Sequence, residues 1–136
     1  MRKHLGLLLI CMWASTRLPA SAAPSDLSQQ TELACIAFAN FALEVATAAE
    51  LQGPQAPAVY KAMRQRYFEQ ARVKYLEAQK IAPETLQSAQ QMAHEREKAL
   101  LMKFIADADR TSNDQDAKQE SLKKYFLQRQ STLACR

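Results

Sequence analysis

The sequence predicts an all-α protein, an antiparallel bundle of about four helices closed by one disulfide bond. Strand signals are almost absent, because valines are few and no stretch alternates apolar and polar residues with a period of two. Residues that favour helices, such as alanine, leucine, glutamine and lysine, are abundant. Two cysteines, one early in the first predicted helix and one after the last, supply the disulfide.

The first part of the chain has the three regions of a secretory signal peptide. Residues 2–4 are basic, residues 5–14 form an apolar run too short to span a bilayer, and residues 20–22 are small, as a cleavage site requires. Cleavage after Ala22 is favoured, because a cut one residue later would leave Pro24 next to the cleaved bond. We therefore expect a signal peptide at 1–22 and a single helical domain at 23–136, located in the periplasm or secreted.

Removing the signal peptide changes the charge of the protein. The segment takes away three basic residues and no acidic one, so the formal net charge falls from +4 to +1. The basic character of the whole chain belongs mostly to the signal, and a nearly neutral protein has no general attraction to nucleic acid or to an anionic membrane. We expect neither as a partner of the mature protein.

Cys35 and Cys135 are the cysteines that remain after cleavage, because Cys11 lies within the signal. Disulfides form and persist in the oxidising compartments that exported proteins reach. A bridge between the two would close a loop of about 100 residues and would contribute about 4–5 kcal/mol by restricting the unfolded chain. An antiparallel bundle brings the start of the first helix beside the end of the last, so the topology and the cysteine positions agree.

The first predicted helix begins after Ser25 or Ser28, both good N-caps, and ends at Gly53, where Pro54 prevents continuation. It is apolar on two sides and rich in alanine, so several neighbours should bury it and approach it closely. Its four acidic residues are not balanced by any basic residue.

The remaining helices are predicted from proline positions and apolar periodicity. The second should run from about Ala58 to Lys80, and its net charge of +4 mirrors the −4 of the first. The third should begin at Pro83 and continue to about Asp109. A polar, acidic segment separates it from a fourth helix over about 114–134. Short connections between successive helices favour antiparallel neighbours.

Groups able to carry catalysis are scarce. The expected mature chain has one histidine, His94, at the edge of an apolar face, where a lone histidine is usually packed or solvated. One histidine and two bridged cysteines leave little to ligate zinc or another transition metal. The expected mature chain keeps a single glycine, Gly53, which excludes a glycine-rich phosphate loop. We expect no enzymatic activity, no metal and no cofactor.

The second helix offers the clearest candidate for a binding face. Lys61, Arg64, Arg72 and Lys74 make it basic, and Glu97 lies in the middle of the apolar face of the third helix. Lys74 also interrupts an apolar stripe, and buried charges are costly unless paired. We expect Lys74 and Glu97 at helix–helix boundaries, either paired or bordering a groove. The alternative for the basic residues is a solvated face that complements the acidic first helix.

Within the first predicted helix, an early cysteine is followed by mostly small residues: Cys35–Ala39, Ala42, Val45, Ala46 and Ala49. Together with Cys135, this pattern resembles small exported proteobacterial helical proteins that carry one cysteine in the N-terminal helix and another near the C-terminus. Most of those proteins have no assigned activity. The resemblance therefore implies an exported, disulfide-closed helical protein and no particular reaction.

These features favour a non-enzymatic periplasmic or secreted protein that binds another macromolecule, which we expect to be a protein, as a monomer or homodimer. The first alternative is a holdase-type chaperone, which needs an exposed apolar concavity. Met63, Tyr67, Met92 and Met102 are candidates to line it, although ordinary core packing also accounts for them. The second alternative is an inhibitor or immunity protein that neutralises a secreted toxin.

Overall fold

The computed structural model describes residues 23–49 and 53–136, and the signal peptide expected at 1–22 lies outside this range. The predicted all-α helical bundle is confirmed, since the described residues form helices that pack together and contain no β-strand. The elements are α1 (Pro24–Ser28), α2 (Thr31–Ala49), α3 (Ala56–Ala71), a π-helix (Arg72–Ala78), α4 (Pro83–Thr111) and α5 (Gln115–Leu133).

The first predicted helix is divided into α1 and α2 at Gln29. The last turn of α1 is tight, because the backbone N–H of Gln29 donates to the carbonyl of Asp26 and the Ser28 hydroxyl donates to the carbonyl of Ser25 at 2.7 Å. Arg96 of α4 donates to both the carbonyl and the hydroxyl of buried Ser28, at 3.1 and 2.9 Å. These contacts turn α1 away from α2 and hold it on α4.

α2 lies at the centre of the bundle and contacts α3, α4 and α5. Residues 33–39 are all buried, which matches the prediction that this alanine-rich segment is covered on more than one side. α2 and α3 run antiparallel, because the start of α2 lies beside the π-helix at Glu32 and Lys74, while its middle lies beside α3 at Asn40 and Arg64. The small side chains of α2 allow this close approach.

Phe38 forms the centre of the core. Its ring meets the rings of Tyr60 in α3 and Phe126 in α5 edge-on, each at a centroid distance of 6.0 Å. Edge-on aromatic pairs are favourable beyond the area that they bury. One residue of α2 therefore joins three helices.

The predicted disulfide is present between Cys35 and Cys135, with Cα atoms 5.6 Å apart and a sequence separation of 100. Both cysteines are buried. The backbone N–H of Arg136 donates to Tyr67 Oη at 2.7 Å, and the Gln130 amide donates to the carbonyl of Cys135 at 3.2 Å. The segment after α5 is therefore attached to α2, α3 and α5 together.

The second predicted helix is α-helical only to Ala71 and continues as the π-helix. The wider hydrogen-bonding pattern persists at its end, where the N–H of Gln79 donates to the carbonyl of Lys74 five residues earlier. Lys80, at a φ of 55°, then reverses the chain into α4. The N-cap of α5 is Asp114, whose carboxylate accepts from the N–H of Asp116 at 3.0 Å.

Candidate functional site

The five residues that the sequence singled out as a binding face do not form one surface. Lys61 and Arg64 lie on α3, Arg72 and Lys74 lie in the π-helix, and Glu97 is buried in the middle of α4. The basic residues therefore divide into two pairs with different neighbours.

Arg72 is surrounded by acidic residues of its own segment. Its guanidinium forms ion pairs with Glu69 and Glu77, and all three side chains are exposed. Exposed pairs of this kind contribute little to stability, but they balance the charge of the cation. These surroundings fit a solvated, internally balanced face better than a contact for a partner.

Lys74 joins the π-helix to α2. Its Nζ lies 3.0 Å from Oε1 of Glu32, and the Tyr75 hydroxyl donates to Oε2 of the same carboxylate at 2.9 Å. Burial is the largest influence on Glu32 and opposes its ionisation. A backbone hydrogen bond and the hydrogen bonds from Lys74 and Tyr75 together outweigh burial, so the pKa of Glu32 is lowered. Lys74 thus lies at a helix–helix boundary, as expected.

Glu97 has a different partner. It is 5% exposed, and its carboxylate accepts from Nε and Nη2 of Arg129 in α5, at 3.0 and 2.5 Å. The pairing of Lys74 with Glu97 does not occur, because Lys74 lies against α2 whereas Glu97 faces α5. The sequence contained a signal for the true partner: Arg129 interrupts the apolar stripe of the last helix, as Glu97 interrupts that of the third predicted helix.

A groove lies between α3 and α4 above α2 and adjoins a depression on the surface of α3, and Phe68 lines both parts. The depression is formed by α3 alone, from Lys61, Arg64, Gln65, Phe68 and Glu69. The other part, of about 300 Å³, lies over Ile36 and Ala37 of α2. Its walls carry four side-chain amides and one imidazole, from Asn40, Gln87, Gln90, Gln91 and His94. We call these two parts together the α3–α4 groove.

The α3–α4 groove combines an aromatic side chain with polar groups that both donate and accept. Phe68 is 50% exposed and is the one aromatic residue among the exposed large apolar side chains of the described residues. Arg64 Nη1 donates to Asn40 Oδ1 at 3.2 Å, and the His94 ring stacks on Phe41 with centroids 4.5 Å apart. Amides can pair with the N–H and C=O groups of a polypeptide. The groove can therefore take an apolar side chain beside an extended backbone.

The four residues considered for a chaperone concavity are not brought together. Met63 and Tyr67 are buried in the core, whereas Met92 and Met102 are exposed on α4. Core packing therefore accounts for the first two, and Tyr67 also accepts a hydrogen bond from the Arg136 backbone.

Comparison with known proteins finds no matching family model, no matching curated protein and no matching solved structure. The resemblance to exported proteobacterial proteins stays a prediction. Among the helices of residues 23–49 and 53–136, none has the length and apolar character needed to cross a membrane. Within the same residues, no group of three or more histidine, cysteine, aspartate or glutamate side chains is placed to hold a metal ion.

Proposed function

We propose that this is a non-enzymatic protein of the periplasm or the extracellular space, exported by a cleaved signal peptide, that binds another protein through the α3–α4 groove. The observation that carries the proposal is the half-exposed ring of Phe68, which lies between the Lys61 and Arg64 cations and the amide-rich walls. Protein interfaces commonly centre on an aromatic anchor with a polar, charged rim.

The chemistry of the α3–α4 groove supports a particular kind of partner. An apolar side chain would pack on Phe68, an acidic residue would face Lys61 and Arg64, and the backbone between them would pair with the amides of Asn40 and the glutamines of α4. We therefore propose a polypeptide segment with an acidic residue close to an apolar one. The Cys35–Cys135 disulfide supports export, because such bonds are typical of oxidising compartments.

The test is affinity capture from a periplasmic extract, followed by titration of the captured partner in purified form. Phe68→Ala should raise the Kd about 30-fold or more, since aromatic anchors contribute about 2 kcal/mol or more. Lys61→Glu with Arg64→Glu should slow association and change its dependence on salt. Leu127→Ala is the matched control, because Leu127 is 54% exposed and lies on α5, away from the α3–α4 groove.

The outcomes separate the proposal from its alternatives. One stoichiometric partner that is lost with Phe68→Ala and kept with Leu127→Ala supports the α3–α4 groove. A single partner that neither groove variant affects contradicts the proposed site. Capture of many unfolded proteins instead of one partner would favour the holdase alternative and contradict the proposal.

A further inference from the structure

The outer side of α4 carries a line of exposed residues that the core does not use. Glu97 and Leu101 point inward and are buried. Lys98 follows Glu97, and Met102 follows Leu101. Each points about 100° away from its buried neighbour, and both are exposed. Ile105 and Asp109 continue the same line, because positions three and four residues apart share one helix face. We call Lys98, Met102, Ile105 and Asp109 the α4 stripe.

The α4 stripe has an apolar centre and ends of opposite charge. Met102 is 56% exposed and Ile105 is also exposed, so two large apolar side chains meet solvent on one face. Lys98, at the N-terminal end of the stripe, makes no ion pair with any residue that the structure describes. Asp109, at the other end, contacts Lys118 of α5 at 2.9 Å, and its side chain remains 59% exposed.

The intervals between the residues of the α4 stripe are the same when read from either end. Its members are four, three and four residues apart. When two copies of α4 cross in opposite directions about a two-fold axis between Met102 and Ile105, each Lys98 faces an Asp109 and each Met102 faces an Ile105. A two-fold interface requires this relationship, in which the same two positions meet twice.

We propose that the α4 stripe is a self-association surface, on which a second copy of the chain packs its own α4 in the antiparallel direction. The charge pattern selects this occupant. A parallel copy would place Lys98 against Lys98 and Asp109 against Asp109, whereas the antiparallel copy brings opposite charges together at both ends.

The surface beside the α4 stripe supports the same arrangement. Ile105 borders a groove of about 230 Å³ between α4 and α5, which Phe104, Ala108 and Leu122 also line. In the antiparallel pair, Met102 of the second copy lies opposite Ile105, at the edge of this groove. Methionine is unbranched and flexible, so its side chain adapts well to such an irregular apolar space. The inference does not depend on the partner proposed for the α3–α4 groove, because the two surfaces use different residues.

Charge exchange between the two ends tests the inference directly. Lys98→Asp places acidic residues opposite each other at both ends, and Asp109→Lys places basic residues opposite each other. Each variant alone should dimerise at least about tenfold more weakly than the unchanged protein. Mixed together, the two variants restore both opposite-charge contacts and should form a 1:1 heterodimer. A chain that carries both substitutions should again form a homodimer.

Sedimentation equilibrium and light scattering on the disulfide-bonded protein measure these states, and circular dichroism checks that each variant folds. Met102→Glu should also weaken dimerisation, whereas Val59→Glu, at a site 57% exposed on α3, should leave it unchanged.

Three results would overturn the inference: an unchanged protein that is monomeric up to about 1 mM, a dimer that survives both single charge changes, or two single variants that fail to combine. If an Asp109→Lys chain does not fold, dimerisation of the Lys98→Asp and Met102→Glu chains decides the question alone.

Discussion

The guanidinium of Arg129 lies against the buried carboxylate of Glu97, with Nε 3.0 Å from Oε2, and this contact joins α4 to α5. The hydrogen bond to Glu97 raises the pKa of Arg129, although burial opposes it. Beside the pair, burial raises the pKa of Tyr125, and the charge of Glu97 adds to that effect while Arg129 opposes it. The Tyr125 hydroxyl is buried and has no hydrogen-bond partner within the described residues.

Removing one member of this pair should destabilise the fold more than removing both. Arg129→Met leaves the carboxylate of Glu97 buried without its cation, and we expect a loss of about 2–4 kcal/mol, because breaking a buried pair is costly. The double variant Glu97→Leu with Arg129→Met should recover most of that loss. Urea unfolding of the single and double variants measures the coupling. If the single variant and the double variant lose the same free energy of unfolding, the pair contributes only through packing.

Acid should destabilise the protein through Glu32. The pKa of Glu32 is lowered from 4.5 in the fold, so the unfolded chain takes up the proton first as the pH falls. The stabilisation is therefore complete above pH 4.5 and is lost as the pH drops through the folded pKa. We expect about 1 kcal/mol or less, because Lys74 is exposed. Urea midpoints between about pH 5 and pH 3 should fall less steeply for Glu32→Gln than for the unchanged protein, and an identical slope would contradict this origin.

Loss of the disulfide should lower stability strongly without abolishing the helical fold. Replacing both Cys35 and Cys135 with alanine frees a loop of about 100 residues, and we expect a loss of about 2–5 kcal/mol. Thermal unfolding measures it. A reducing agent should lower the Tm of the unchanged protein to that of the double variant and should leave the variant unaffected. An unchanged protein that reacts with thiol-alkylating reagents without reduction would contradict the bridge.

Phe38 and Phe68 should differ greatly in how much their truncation destabilises the protein. Phe38 is buried against Tyr60 and Phe126, so Phe38→Ala should cost about 3–5 kcal/mol. Phe68 is half-exposed, so Phe68→Ala should change stability by only about 0.5 kcal/mol. Urea unfolding of the two variants makes the comparison. A large loss with Phe68→Ala would mean that this ring supports the fold and would weaken its assignment as a binding anchor.

The sequence predicted the fold well because the relevant signals are local. Proline at residue 83, the polar segment before the last helix and the repeat of apolar residues each act within one or two turns, and the structure places α4 and α5 within a few residues of the predicted bounds. The cysteine pair added the one long-range contact that could be inferred, because only two cysteines remained after the expected cleavage.

The candidate site could not be predicted to the same extent, because it depends on which helix faces meet. Periodicity marked Lys74 and Glu97 as charges on apolar stripes but could not assign Glu32 and Arg129 as their partners. Phe68 was not singled out, since an exposed aromatic and a buried one look alike in sequence. The division at Gln29 and the π-helix also depend on tertiary contacts, from Arg96 to Ser28 and from Tyr75 to Glu32.

The π-helix over Arg72–Ala78 lets this segment hold about one residue more than an α-helix would over the same rotation. Because each turn holds more residues than an α-helical turn, the extra residue is absorbed within the segment and the side chains after it keep their direction. Deleting one residue here would let the segment wind as an ordinary α-helix and would leave the later residues close to their present orientation. In the regular α-helices beside it, the same deletion would rotate every later residue by about 100°. This segment can therefore gain or lose one residue at a lower cost to the packing of the bundle than its neighbours can.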